Sequence, residues 1–130
     1  ETATLVAILK LGRGRVFAGV PESELRQFRA SMYHVEARIV DAALQVTDRA
    51  LEAGDLGLAR WALTQGLLVS PDHEDLVAGC LRTEYQAGNM DKVAELVDHL
   101  SATARRLGVD LNEDTTRIID TVTHADRRAS

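Results

Sequence analysis

Cysteine occurs once in these 130 residues, at Cys80, so the chain cannot close a disulfide within itself. That suits a reducing compartment. Proline occurs twice and aromatic residues make up 4 %. A chain this poor in helix breakers and large rings points to helices packed by aliphatic side chains. No apolar run reaches the roughly 18–20 residues needed to span a bilayer. The opening TATLVAIL (residues 2–9) has no basic segment before it, as a signal peptide would; positive charge follows it instead. Nor is there a concentrated basic face. The net charge is −5, with Lys and Arg scattered among acids, which argues against direct binding of nucleic acid by this stretch.

What is present is a globular composition, 45 % hydrophobic and 27 % charged. The length fits one domain spanning 1–130 with a single core. The first residue is Glu1 rather than Met, so the expectation is a piece of a longer protein.

Apolar residues recur with helical spacing almost throughout. Leu5, Ile8 and Leu9 give a short leading helix, and residues 12–21 read as a loop anchored by Val16 and Phe17. Ser23 is the expected cap of a long helix, with Glu22 and Glu24 at the positive end of its dipole. Leu25, Phe28, Met32, Val35, Ile39, Ala42, Val46 and Ala50 then form one stripe up to Gly54. Asp55 opens a second helix, stopped by Ser70-Pro71; Asp72 opens a third, closed by Gly88. Asn89 opens a fourth, closed by Gly108, and Asn112 a short last one bearing Ile118, Ile119 and Val122. No period-two alternation is long enough for a strand. The fold class is all-α, with about six helices, and links this short make the middle helices antiparallel hairpins.

The two "Ala-Gly-Asx-apolar" joints, at Gly54 and Gly88, lie 34 residues apart, which is the period of the tetratricopeptide repeat. In the first unit (40–73) the small Ala59 and Gly66 allow close helix approach, Leu63 fills the seam, and Pro71 ends the second helix. In the second (74–107), Val93, Val97 and Leu100 repeat the apolar pattern. Arg105 replaces the proline, and Ala43 and Val77 stand in the seam where large aromatics are usual. The expected architecture is a right-handed α-α superhelix of two degenerate tetratricopeptide-like hairpins with flanking helices.

The flanks add a second resemblance. A leading helix, LGRGRVFAGV (11–20), a long helix, then AGD, SPDHEDL, AGN and RLGVDLNEDT follow one another in order. This set resembles the bacterial transcriptional activator domain, which begins with a Leu-x-Arg-Gly segment and a Gly-apolar pair. The chain departs from the family at Phe28, where tryptophan is usual, and at Leu111 and Glu113, where prolines are. The resemblance implies a cytoplasmic, non-catalytic module for protein contact or self-association in a bacterial regulator. Its alternative is a cytoplasmic adaptor tail on an envelope protein carrying a peptidoglycan-binding LysM domain. Under either reading no membrane contact is expected of this stretch. In tetratricopeptide-like arrays the first helix of each hairpin lines a concave face. The resemblance therefore implies a partner groove at Asp41, Leu44, Asp48, Leu51, Asp75, Ala78, Arg82 and Tyr85. The partner expected there is a peptide with a basic and an apolar residue.

Catalytic and cofactor chemistry finds no support in the residues. Gly12-Arg13-Gly14-Arg15 follows a helix, with no Gly-Lys-Ser/Thr after it, so it reads as a loop rather than a phosphate cradle. The histidines at 34, 73, 99 and 124 fall on separate elements, without metal-ligand spacing. Cys80 sits on a predicted core stripe, unlike a reactive thiolate. Asp41 and Asp48, seven apart, read as a solvated helix face rather than an acid/base pair. Trp61 falls off the seam, available to pack on a neighbouring element. No enzyme, cofactor or metal is expected.

Overall fold

The computed structural model describes residues 21–129. Within them the chain is all-helical, with five helices and no strand. The expected leading helix and the loop that follows it lie outside the described residues.

The first helix, α1 (Glu22–Ala53), is 32 residues long, about 48 Å at 1.5 Å per residue. Glu22 and Glu24 occupy its first turn as expected, but Ser23 does not cap it. Pro21 stands at the cap position, its carbonyl accepting from the Leu25 amide at 2.9 Å. Proline's fixed φ suits a helix entry without any side-chain cap. The helix ends where Gly54 turns left-handed, φ 75°, and the Asp55 amide reaches back to the Ala50 carbonyl at 2.8 Å. Gly88 repeats this stop at φ 78°. Only glycine takes such angles without cost, so the 34-residue recurrence is a recurrence of one backbone joint.

Asp55 caps α2 (Leu56–Val69) by accepting from the Leu58 amide at 3.1 Å. The third helix, α3 (Glu74–Ala87), begins after His73 rather than at Asp72. Pro71 ends α2 and a short turn uses up Asp72 before helical geometry resumes. Asn89 precedes α4 (Met90–Leu107) and turns its side chain to Glu84. The last helix, α5 (Glu113–Ala129), is not short: it runs 17 residues. Links of two to five residues join these helices, so neighbours pack antiparallel and α1, α3 and α5 point the same way.

Two apolar clusters hold the stack. In the first, Ile39, Ala43 and Val46 of α1 meet Ala62 and Leu63 of α2 and Leu76 of α3. In the second, Val77 and Leu81 of α3 meet Val93 and Leu100 of α4 and Val122 of α5. Leu67 packs against both. Gly66 is the small seam residue expected: a Cβ there would lie 2.9 Å from Leu76 Cδ2 and 3.0 Å from Ala43 Cβ. Gly79 does the same from α3, where a Cβ would lie 2.7 Å from Leu63 Cδ2. Trp61 packs half-buried on the first cluster. Leu25, Phe28 and Met32 are half-buried on the N-terminal half of α1.

Candidate functional site

Helical period places Leu44, Asp48 and Leu51 on one face of α1, and Asp75, Ala78, Arg82 and Tyr85 on one face of α3. Because the two helices run parallel beside each other, these faces combine. Asp48 and Arg82, 34 residues apart, meet at 2.8 Å, Nη2 donating to Oδ1. One step along, Gln86 Nε2 donates to the Leu51 carbonyl at 3.0 Å. These cross-links set the register: residue n on α1 stands level with residue n + 34 or n + 35 on α3.

The third wall is α5. Asn112 secures its start by accepting the Thr115 amide at 2.8 Å as a helix cap. Its own amide donates to Glu74 at 2.9 Å and its side-chain amide to Asp75 at 3.0 Å. The start of α5 is thereby tied to the start of α3, and Val122 further along enters the core.

Between these three helices lies one continuous groove. A section of about 680 Å³ is lined by Leu51, Glu52, Tyr85, Gln86, Thr121 and Val122 among others. It joins a section of about 410 Å³ reaching Leu44, Asp75, Ala78, Asp114 and Thr115. Asp48, Arg82, Arg117 and Ile118 border both. Apolar side chains form the floor and charged ones the rim. Arg117 pairs with Asp114 at 3.3 Å, as Arg82 does with Asp48.

Of the sequence-predicted groove residues, Leu44, Asp48, Leu51, Asp75, Ala78, Arg82 and Tyr85 come together here. Asp41 does not. It borders a separate hollow with Tyr33, Glu36, Ser70 and His73, because at that level the α2–α3 turn stands beside α1. The sequence marked a short last helix from Asn112 with Ile118 and Val122 among its apolar positions, but did not place it, or Arg117 and Thr121, in the groove.

Outside the groove, Arg60 and Glu84 form a two-pronged ion pair, Nε to Oε2 and Nη2 to Oε1, both 3.0 Å. The Arg60 hydrogen bond holds the Glu84 carboxyl below the usual range, against partial burial, which pushes it up. Cys80 is half-buried rather than fully in the core, and burial pushes its thiol up. It stays protonated, unlike an activated nucleophile. Among the described residues no group of three or more His, Cys, Asp and Glu is set to hold a metal ion. No helix among them is long and apolar enough to cross a membrane. No protein-family model, curated protein or solved structure matches the chain.

Proposed function

We propose that this chain is a non-catalytic interaction module whose α1–α3–α5 groove takes a peptide segment of a partner protein. One observation carries the reading: three helices running the same way line a single open groove with an apolar floor and a charged rim. Such a surface gives a peptide both apolar anchors and polar register. The 34-residue register of Asp48 with Arg82 supports a tetratricopeptide-like, right-handed stacking of the hairpins. In that stacking α1, α3 and α5 are the concave-face helices. The resemblance to the bacterial transcriptional activator domain makes this the partner-binding part of a cytoplasmic bacterial regulator.

Selection of a random displayed heptapeptide library on the intact chain tests the reading. Selected peptides should bind wild type and lose affinity for Arg82→Glu/Tyr85→Ala, while light scattering gives both proteins the same mass. Peptides that bind the double variant with full affinity would place the docking site elsewhere.

A further inference from the structure

The charges around the groove are unevenly matched. Both cations on its rim are already engaged within it, Arg82 by Asp48 and Arg117 by Asp114. Two rim carboxylates, Glu52 and Asp75, form no ion pair among the described residues. Asp75 accepts only the neutral side-chain amide of Asn112. The imbalance extends beyond the rim. The chain as a whole carries a net charge of −5. An approaching cation therefore meets an attractive field over the whole body as well as two open carboxylates in the groove.

Their placement sets a spacing. Asp75 lies in the narrower section of the groove and Glu52 in the wider one. Glu52 stands level with Gln86, whose side chain is bonded to the Leu51 carbonyl. From Asp75 to Gln86 is eleven helical steps, about 16 Å at 1.5 Å each. Between the two carboxylates lie Leu44, Leu51, Ala78, Tyr85 and Ile118. Sixteen ångströms is also the span of about five residues of extended chain. A helix would need about twelve residues to cover the same span, against about six of extended chain, and is itself about 10–12 Å across with its side chains.

We infer that the groove recognises an extended peptide bearing a cationic side chain at each end of a short apolar stretch, the cations five residues apart. Asp75 receives one cation and Glu52 the other, while the apolar side chains settle on Leu51, Tyr85 and Ile118. Electrostatic matching of this kind sets specificity and orientation, and the apolar floor supplies the affinity. The inference rests on the groove being a peptide site and adds the class of peptide.

Fluorescence anisotropy on the intact chain tests it with a labelled arginine-leucine-serine-leucine-serine-arginine peptide and its glutamate-ended counterpart. The arginine peptide should bind at least about fivefold more tightly at low salt, with a gap that narrows as salt rises. Glu52→Arg/Asp75→Arg should invert the preference while circular dichroism stays helical. Equal or tighter binding of the glutamate peptide, no binding of the arginine peptide, or an unchanged preference in the double variant would overturn the peptide class. So would tighter binding of a helical peptide with arginines eleven positions apart. The groove itself fails separately, if Arg82→Glu/Tyr85→Ala leaves the affinity of whichever peptide binds unchanged.

Discussion

At the level of single residues, Gly66 shows what sets the distance between helices. An added methyl would press on Leu76, which is fully buried, and on the Cβ of Ala43, which moves only if α1 moves. Overpacking of this kind costs about 1–3 kcal/mol, while alanine in place of glycine returns about 1 kcal/mol of helix propensity. Gly66→Ala should therefore lose about 1 kcal/mol net, read from urea unfolding at pH 7. Gly79→Ala should lose less. Its one tight neighbour is the far end of Leu63, with the next Leu63 atoms at 3.7 and 3.8 Å, so a side-chain rotation relieves it. Gly66→Ala more stable than wild type would contradict the close approach.

Glu84 supplies a second residue-scale prediction, with a sign fixed by linkage. Its carboxyl titrates lower in the folded chain than in the unfolded one, chiefly through the hydrogen bond from Arg60. The stability this contributes is therefore complete above the ordinary glutamate value of about 4.3 and is lost as pH falls through the folded value. Arg60→Gln should lower the urea midpoint at pH 7, by an amount that shrinks as the pH falls toward 3. A difference that persists undiminished at pH 3 would mean that packing of the arginine stem, not the charge pair, carries the effect.

At the level of elements, the joints were the most legible part of the sequence. Gly54 and Gly88 had to be stops, because each follows an apolar stripe and precedes an Asx residue. Asp55 had to be a cap for the same local reasons. Ser23 and Asp72 carried similar chemistry and were passed over. Pro21 enters the helix through its own fixed φ, and the turn after Pro71 delays α3 to Glu74. The length of α5 was harder to see, since much of Glu113–Ala129 is polar and few apolar positions mark its period. What holds that helix in place is Asn112, which caps it and ties it to Glu74 and Asp75. Asn112→Ala should cost about 1 kcal/mol from the lost cap alone. Hydrogen exchange should show the α5 amides losing protection first, ahead of those in α1 and α2. Uniform loss across all five helices would contradict this local role.

At the level of the whole molecule, the groove was half visible in advance. The resemblance implied one face of Asp41, Leu44, Asp48 and Leu51 beside another of Asp75, Ala78, Arg82 and Tyr85; helical period is consistent with each face, and their meeting depended on hairpin stacking. Asp41 dropped out because the α2–α3 turn occupies its level, and Arg117, Ile118 and Val122 entered because α5 crosses back over α3. Neither fact is written in local periodicity; both arise from how helices lie on one another. Amide chemical-shift mapping of the ¹⁵N-labelled chain, titrated with the tightest library-selected peptide, tests the central claim most directly. The account predicts perturbations in three separate segments, Leu44 to Glu52, Asp75 to Gln86 and Asp114 to Val122, with the outer faces of α2 and α4 unmoved. Perturbations confined to α2 or α4, or to one helix alone, would contradict it.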